Sequence, residues 1–377
     1  MQKPEIDSLL RKLWWAGVDA VGGRRSVEAA LEGDNRQFDL ILGVGKAAVP
    51  MCIAAVPHLA NGGQVLAVTK YGHGDDQSES MDITVIEAAH PVPDANSLKG
   101  GAALVEAVRV SGPDCRLLLL VSGGASALAE VPKGEMTLDT LQRENARLVA
   151  SGLDIHAINA ERRKFSAIKG GGLLSNFASA SVQVLAISDV PGDDIDVIGS
   201  GIGAAPPQSS EFAYDCRIVA SNAIARTAAC DAAKGAGVAV RVNEEDLHSD
   251  VSACAERVSR MLIEGEPGAY VLGGEPTIVL PPDPGEGGRN QALAAEIAKR
   301  ISGIEGLSVL VAGTDGTDGP TDAAGGLVDG SSWKATQGGE DALARADSGS
   351  WLEAAGCRFV TGPTGTNVMD LLVAVKT

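Results

Sequence analysis

Residues 38–48 decide the fold of this chain, and they read Phe38-Asp-Leu-Ile-Leu-Gly43-Val-Gly45-Lys46-Ala-Ala48. The apolar run predicts a buried β-strand, and the alanine-rich stretch after the glycines predicts a helix. Glycine permits close approach of the backbone to a ligand, and the amide groups at a helix N-terminus attract anions. We therefore predict a β-α unit with an anion-binding turn at Gly45 and Lys46, although a tight turn with a solvated lysine would show the same pattern.

Similar apolar runs recur along the chain, and most are followed by alanine-rich segments with helical spacing. They span residues 38–44, 64–69, 83–88, 116–121, 182–188, 217–220, 269–273 and 307–312. Strands that alternate with helices predict right-handed β-α-β units and parallel sheets covered on both faces. In such α/β proteins the ligands bind at the carboxyl ends of the strands.

Length and composition predict two domains of unequal size. A chain of 377 residues is too long for one ordinary core, and the composition shifts over residues 235–250. The hydrophobic class makes up 45% and the charged class 21%, which is typical of a folded protein rather than a disordered one. We predict a larger first domain over residues 1–240 and a smaller second domain over residues 241–377.

Charge and cysteine content restrict the partners and the compartment. The 31 basic and 49 acidic side chains give a formal net charge of -18, which repels nucleic acid and anionic membranes. The N-terminus lacks the pattern of a signal peptide, and no apolar stretch reaches the ~18 to 20 residues of a transmembrane helix. The six cysteines form no Cys-x-x-Cys pair. We predict a cytoplasmic protein that binds neither nucleic acid nor membrane; a homodimer is compatible with these features, and the oligomeric state stays open.

A second strand-to-loop turn carries the sequence Ser122-Gly123-Gly124-Ala-Ser126. Its small hydroxyl and amide donors are suited to forming a backbone nest for phosphates. It has neither the Gly-x-Ser-x-Gly spacing of a hydrolase nor the Lys-Ser/Thr ending of a Walker loop. The first turn fits Gly-x-Gly-x-x-Ala, which is typical of dinucleotide binding, but the next strand ends near Lys70 without an acid for a ribose hydroxyl.

Two charged residues beside turns are further candidates. Lys169 ends a basic segment that runs into three glycines. Most of that segment is expected to be a solvated helix face, and Lys169 is the residue best placed to point into a site. Asp189 follows another apolar strand, at the sheet edge where catalytic groups collect. It is suited to accepting a proton from a substrate hydroxyl or to helping hold magnesium.

The second half of the chain adds an arginine and a group of acids. Arg289 follows Gly287-Gly288, and a guanidinium beside a flexible turn is suited to binding phosphate or carboxylate. Asp315, Asp318 and Asp322 lie on a loop after an apolar strand, where they are suited to holding a divalent cation. Their spacing does not match the calcium-loop template, and turn chemistry would also explain them. Together these features predict phosphoryl transfer.

Taken in order, the motifs resemble the glycerate 2-kinase family, in which a glycerate kinase N-terminal region precedes a MOFRL-type C-terminal domain. The matching stretches are Gly43-Val-Gly-Lys46-Ala-Ala, His90-Pro-Val-Pro-Asp94, Ser122-Gly-Gly-Ala-Ser126, Lys164-Phe-Ser-Ala-Ile-Lys169-Gly-Gly, Ser188-Asp-Val-Pro-Gly-Asp193, Gly273-Gly-Glu275, Gly287-Gly-Arg-Asn-Gln291, Asp315-Gly-Thr-Asp-Gly-Pro-Thr-Asp322 and Gly362-Pro-Thr-Gly-Thr-Asn367. They cover the chain nearly end to end.

The resemblance implies that the protein uses ATP, with magnesium or manganese, to phosphorylate D-glycerate at its 2-hydroxyl and give 2-phosphoglycerate. It implies an α/β fold with a doubly wound, mainly parallel, Rossmann-like first domain and a smaller α/β second domain. With the patterns above, the predicted catalytic residues are Lys46, Asp189 and Arg289. The predicted substrate- and nucleotide-binding residues are Gly45, Ser122, Gly123, Gly124, Ser126, Lys169, Glu275 and Asn290. The predicted metal ligands are Asp315 and Asp318.

The loop after Gly201 departs from the family pattern, and two alternative functions stay open. After Gly201 the family usually continues with proline and threonine, whereas this chain reads Ile202-Gly203, which leaves substrate detail open. A hydroxypyruvate reductase that uses NAD(P)H is the first alternative, and the missing ribose acid counts against it. A non-catalytic sugar-phosphate-binding regulatory module is the second. It fits the Ser/Gly turns, but three nearby carboxylates would repel a phosphate unless a cation intervened.

Overall fold

The computed structural model describes residues 3–150, 155–206 and 212–377, and it divides the chain into two compact units. The parallel-sheet unit contains Gly22–Ser221 and Gly365–Asn367. The mixed-sheet unit contains the chain up to Val21, Asn222–Thr364 and Val368–Thr377. The division predicted between residues 240 and 241 differs from this one, because the N-terminal segment and residues 222–240 belong to the mixed-sheet unit.

Helices and strands alternate through most of the described chain. The helices are α1 (Lys3–Ala20), α2 (Gly23–Leu31), α3 (Ala48–Ala55), α4 (Gln77–Ser80), α5 (Ala95–Arg109), α6 (Ala125–Leu128), α7 (Leu138–Ala150), α8 (Ile155–Phe165), α9 (Asn222–Gly235), α10 (Val251–Glu264), α11 (Arg289–Arg300), α12 (Gly339–Ala344) and α13 (Ser348–Ala354). The strands are β1 (Phe38–Val44), β2 (Leu59–Lys70), β3 (Ile83–Ala88), β4 (Arg116–Val121), β5 (Ser181–Ile187), β6 (Ala213–Ala220), β7 (Val240–Glu245), β8 (Gly268–Gly274), β9 (Leu307–Gly313), β10 (Gly325–Asp329), β11 (Arg358–Phe359) and β12 (Asp370–Lys376).

The parallel-sheet unit contains a six-stranded sheet in the order β3-β2-β1-β4-β5-β6, and its neighbouring strands are all parallel. The chain winds outward from β1 through β2 and β3, then returns to β4 beside β1 and winds outward again. This confirms the predicted doubly wound, Rossmann-like fold. Ligands in such sheets bind where the strand order reverses, so the ends of β1 and β4 mark the expected crevice.

The sequence forms this sheet because its central strands are apolar on both faces. Leu117, Leu118, Leu119 and Leu120 of β4 are each completely buried. A parallel sheet covered by helices buries both faces, so its strands carry continuous apolar runs instead of alternating ones. Burying one leucine side chain contributes about 1.5 to 3 kcal/mol, which makes β4 a rigid support for the turn that follows it.

The mixed-sheet unit contains six strands in the order β11-β10-β9-β12-β8-β7. β7 and β8 run parallel, and the other neighbouring strands pair antiparallel. Helix α1 packs on this sheet together with α9, and Leu10, Leu13 and Trp14 of α1 are completely buried. The Trp14 ring meets Phe359 edge to face, with 5.0 Å between ring centroids. These apolar contacts explain why the N-terminal helix belongs to this unit.

Among the described residues, none of the helices combines the length and the hydropathy needed to cross a bilayer.

We predict a pH-dependent contribution to stability from the ion pair between Lys3 and Asp329, whose Nζ and Oδ2 atoms are 2.5 Å apart. Burial acts to raise the pKa of Asp329, but the Lys3 ammonium and the Ser331 hydrogen bonds outweigh it and lower that pKa to about 2. A carboxyl whose pKa is lower in the folded state stabilises the fold above pH 4, and this contribution is lost as the pH falls towards 2. Asp329→Asn should therefore reduce the free energy of unfolding by on the order of 1 to 2 kcal/mol at pH 7. In urea titrations the difference from the wild type should narrow below pH 4.

The matched control is Asp139→Asn, because Asp139 is 79% exposed and pairs with Arg143 on the surface of α7. Surface pairs contribute little, so this variant should follow the wild type across the pH range. An equal, pH-independent loss in both variants would contradict the assignment to Asp329.

Candidate active site

The two glycine turns predicted from the sequence lie side by side at the ends of β1 and β4. The Lys46 N–H donates to the Gly123 carbonyl oxygen at 2.9 Å, and the Ala47 N–H donates to Ser122 Oγ at 3.0 Å. Gly45 has φ +125°, and a Cβ at this position would overlap the hydroxyl and carbonyl oxygens of Ser122. A glycine is therefore required at position 45 for the two turns to join.

These contacts change which groups are available to an anion. The N–H groups of Lys46, Ala47 and Ala48, at the start of α3, already donate to protein acceptors. In contrast, within the part of the chain that the structure describes, the N–H groups of Gly123 and Gly124 have no protein acceptor. The amide donors for an anion thus belong to the second turn, and the first turn contributes its lysine.

Lys46 is half-buried, and its side chain runs along Gly124. Its Cγ lies 3.3 Å from the position that a Cβ on Gly124 would occupy, and Cδ2 of His90 lies 3.2 Å from the same point. The Lys46 carbonyl oxygen accepts a hydrogen bond from Thr69 Oγ1 at 3.4 Å. The backbone of Lys46 is therefore fixed on both sides, with its side chain and His90 beside the Gly124 turn.

Asp189 follows β5, and its carboxylate reaches the same turn. Asn367 Nδ2 donates to Asp189 Oδ2 at 3.2 Å, and both groups lie against Gly123. A Cβ on Gly123 would overlap both of them, so this glycine makes room for the pair. Asn367 lies in one of the family motifs, but the sequence alone predicts no role for its side chain. The structure brings Lys46, Ser122, Gly123, Gly124 and Asp189 together, as their positions after parallel strands predict.

Lys169 has a different environment from these residues. Its Nζ pairs with Glu130, and both side chains are essentially inaccessible to solvent. The Ser166 hydroxyl donates to the same carboxylate. Burial lowers the pKa of Lys169, and the Glu130 charge opposes that shift. The ammonium of Lys169 thus has a protein partner, and its contact with a ligand stays a prediction.

In the mixed-sheet unit Arg289 is the first residue of α11 and lies between two carboxylates. Its Nε donates to Asp370 Oδ2 at 2.7 Å, its Nη2 donates to Asp370 Oδ1 at 3.3 Å, and its Nη1 donates to Glu275 Oε1. Asp370 is buried on β12, whereas the Arg289 side chain is 33% exposed. Burial acts to lower the pKa of Arg289, but Asp370 and Glu275 outweigh it and raise the pKa. The predicted residues Arg289 and Glu275 are in direct contact, whereas no motif in the sequence indicated Asp370.

Asp318 and Asn290 meet at the start of α11. Asp318 Oδ1 accepts from the Asn290 N–H at 3.1 Å and from Asn290 Nδ2 at 3.4 Å. Asp318 Oδ2 accepts from the Gln291 N–H at 2.8 Å and from Gln291 Nε2 at 3.1 Å. Burial raises the pKa of Asp318 to about 6, against the opposing effect of the donors from Gln291 and Asn290. Asp318 therefore caps the helix that carries Arg289.

These contacts bear on the predicted metal site. A carboxylate offers about four acceptor positions, and four N–H donors occupy those of Asp318. Asp315 Oδ1 accepts from the N–H and the hydroxyl of Thr317, at 3.0 and 3.1 Å. Among the described residues, no group of three or more His, Cys, Asp or Glu side chains is placed to hold a metal ion. N–H donors thus occupy the carboxylate of Asp318 in this geometry, and the role of Asp315 and Asp318 as metal ligands stays a prediction.

Comparisons with known proteins agree with the architecture. Residues 9–232 match the model of a family described as a domain of unknown function (DUF4147), and residues 268–370 match the MOFRL family. A D-glycerate 2-kinase of Thermotoga maritima is 35% identical, with 95% of each chain covered. A provisionally named hydroxypyruvate reductase of Agrobacterium vitis is 32% identical, with 96% of this chain and 93% of the relative covered. The crystal structure of a glycerate kinase from Thermotoga maritima superposes with a TM-score of 0.87 at 32% identity, covering 99% of this chain and 100% of the other.

Proposed function

The chain belongs to the glycerate 2-kinase family, and from this premise we propose that it transfers the terminal phosphoryl group of ATP to the 2-hydroxyl of D-glycerate, giving 2-phosphoglycerate. The observation that carries the proposal is the joined pair of turns at the strand-order reversal. There Lys46 lies beside Gly124, and the Asp189 carboxylate lies beside Gly123. The N–H groups of these two glycines have no acceptor among the described residues. A cation, amide donors and a carboxylate are the groups that phosphoryl transfer to an alcohol requires.

The residues of the parallel-sheet unit have separate roles in this proposal. The N–H groups of Gly123 and Gly124 bind phosphate oxygens, and the Lys46 ammonium stabilises the negative charge on the phosphoryl group in flight. The Asp189 carboxylate accepts the proton of the attacking hydroxyl, and Asn367 orients that carboxylate. Phosphoryl transfer depends on positioning and electrostatic stabilisation, so rigid turns held by a buried sheet suit the task.

In the mixed-sheet unit we propose that Arg289 binds a carboxylate or phosphate group of a ligand. A guanidinium has five N–H groups, and three of those of Arg289 donate to Asp370 and Glu275. The other two, one on each terminal nitrogen, have no acceptor among the residues that the structure describes. With Asp370 holding the plane of the guanidinium, these two N–H groups have a fixed direction, which favours a forked contact with an anion.

We further propose that magnesium or manganese enters as the complex with ATP, as part of the substrate. Activity should then vanish when EDTA exceeds the total metal. Without the metal ion, the side chains of the protein do not neutralise the negative charge of the ATP phosphates. Added Mg²⁺ should restore it in proportion to the MgATP formed. Turnover that persists after complete chelation would contradict this prediction.

Two assays test the function itself. Incubation with D-glycerate and MgATP should consume ATP, and phosphorus NMR should identify 2-phosphoglycerate as the product. Incubation with hydroxypyruvate and NADH or NADPH should leave the nucleotide reduced, since β2 ends with Thr69 and Lys70 and no acid there is placed for a ribose hydroxyl. Oxidation of NAD(P)H without ATP consumption would establish the reductase instead. Binding of a sugar phosphate with neither activity would establish the regulatory module.

A cytoplasmic location and a homodimer complete the proposal. Multi-angle light scattering tests the dimer, and fractionation of cells tests the location.

A further inference from the structure

The turn Ile198–Gly201 contains a serine in a conformation that favours glycine. Ser200 has φ +59°, between Gly199 at +56° and Gly201 at +77°. A residue with a Cβ pays roughly 1 to 2 kcal/mol for this left-handed conformation, whereas glycine does not. The N–H of Gly170, next to Lys169, donates to the Ser200 carbonyl oxygen at 3.0 Å and helps to hold the turn. A glycine at position 200 would be less strained, so we expect the Ser200 side chain to make a contact that offsets this strain.

The hydroxyl of Ser200 lies in a short hydrogen-bonded chain of buried and half-buried groups. It donates to Asn159 Oδ1 at 2.9 Å, and its oxygen is 2.6 Å from the Ser126 hydroxyl. Asn159 Nδ2 points to the Val197 carbonyl oxygen at 3.4 Å. A carbonyl accepts and does not donate, which fixes the nitrogen of the Asn159 amide on Val197 and its oxygen on Ser200.

The orientation of the Asn159 amide sets the direction of the hydrogen bonds that link Ser126, Ser200 and Asn159. A serine hydroxyl can donate one hydrogen bond, and that of Ser200 donates to Asn159. Ser126 must therefore donate to Ser200. The proton of Ser126 is then committed, and its remaining capacity is that of an acceptor. Ser126 is half-buried and lies two residues after Gly124, next to the turn to which we assign the ligand.

We propose that Ser126 accepts a hydrogen bond from a hydroxyl group of a ligand, and that Ser200 is a positioning residue that fixes Ser126 as an acceptor. This inference rests on the proposed kinase function and revises one part of the sequence-based assignment, which placed Ser126 among donors to a phosphate. An oxygen that has only lone pairs to offer repels a phosphate and attracts an O–H group. Two ligand hydroxyls have the required chemistry: the non-reacting 3-hydroxyl of glycerate and a ribose hydroxyl of ATP.

Substrate analogues that lack one hydroxyl separate the two sources. D-Lactate carries a methyl group in place of the hydroxymethyl group of D-glycerate, and 2′-deoxy-ATP and 3′-deoxy-ATP each lack one ribose hydroxyl. Each analogue forms a pair with the complete ligand. For each pair the preference is the ratio of the two kcat/KM values, or of the inhibition constants where an analogue is not turned over, and it is measured in the wild type and in Ser126→Ala. In the pair whose missing hydroxyl contacts Ser126, the wild type should prefer the complete ligand, and Ser126→Ala should reduce this preference by about 5- to 50-fold.

Ser200→Gly tests the positioning role without threatening the fold. Glycine relieves the left-handed strain but leaves the buried Asn159 Oδ1 without its donor. These effects oppose each other, so the protein should stay folded, and the same preference should fall because Ser126 is free to turn its proton towards the ligand. The control is Asp82→Gly, since Asp82 also has a positive φ, +56°, but is exposed and far along the chain from the turn. It relieves the same kind of backbone strain and should leave the preference unchanged. The double variant Ser126→Ala with Ser200→Gly should behave as Ser126→Ala alone.

The outcomes are distinguishable. An active wild type whose preferences are all unchanged in Ser126→Ala would overturn this inference and leave the kinase function standing. Loss of preference in Ser126→Ala but not in Ser200→Gly would overturn the positioning role of Ser200. A wild type that does not phosphorylate glycerate would overturn the proposed function and, with it, this inference.

Discussion

Lys46→Met is expected to lower kcat/KM for glycerate phosphorylation by about 100- to 1,000-fold, while the protein stays folded. Methionine preserves the apolar stem that lies along Gly124 but removes the positive charge. The backbone contacts of Lys46 with Gly123 and Thr69 do not involve its side chain and should survive. Fixed charges at the transferring phosphoryl group act mainly in the transition state, so the loss should appear largely in kcat. Steady-state kinetics at saturating MgATP, together with thermal unfolding, measure both quantities.

Lys99→Met is the matched control for this variant. Lys99 lies exposed on α5 in the same unit, and the substitution makes the same change of charge and shape. Equal kinetics for Lys46→Met and the wild type would remove Lys46 from the reaction. Equal losses in both lysine variants would indicate a general effect of net charge and not a local contact.

The sheet of the first unit could be predicted from the sequence because its pattern is local. Residues 38–44, 83–88 and 116–121 were predicted as strands from their apolar runs, and they coincide with β1, β3 and β4. A strand that is buried on both faces needs apolar side chains throughout, so the sequence of one segment suffices to identify it. The turns at Gly45 and Ser122 followed from their positions after those strands.

The contacts between distant parts of the chain could not be predicted in the same way. Asp189 and Asn367 are separated by 178 positions, and Arg289 and Asp370 by 81. Such pairs depend on which loops the topology brings together. The periodicity of either segment alone does not indicate which distant loop it will contact. The same holds for Asp318, which lies on an acidic loop and accepts hydrogen bonds from N–H groups at the start of α11. An isolated carboxylate in a sequence does not reveal whether a metal or a helix end will use its lone pairs.

Arg289→Lys is expected to reduce kcat/KM by about 30- to 1,000-fold, equivalent to about 2 to 4 kcal/mol of transition-state stabilisation. Lysine keeps the charge, but it cannot satisfy both oxygens of Asp370, reach Glu275 and still present two parallel donors to a ligand. Because Asp370 is buried, the variant should also unfold about 1 to 3 kcal/mol more easily. Kinetics well below the melting temperature separate the two effects. Arg260→Lys, on the exposed side of α10, is the control and should change neither quantity measurably.

Asp370→Asn decides whether Arg289 acts on a ligand or only on the fold. This variant removes the carboxylate that holds the guanidinium but leaves all five N–H groups of Arg289 in place. If Arg289 binds a ligand anion, Asp370→Asn should impair the kinetics less than Arg289→Lys does, with a smaller rise in KM or a smaller fall in kcat. A misaligned guanidinium still binds an anion through two N–H groups better than an ammonium does. If Arg289 serves only to neutralise Asp370, both variants should lose stability and keep wild-type kcat/KM while folded. In that case the anion-binding role of the mixed-sheet unit would have to be assigned to a different residue.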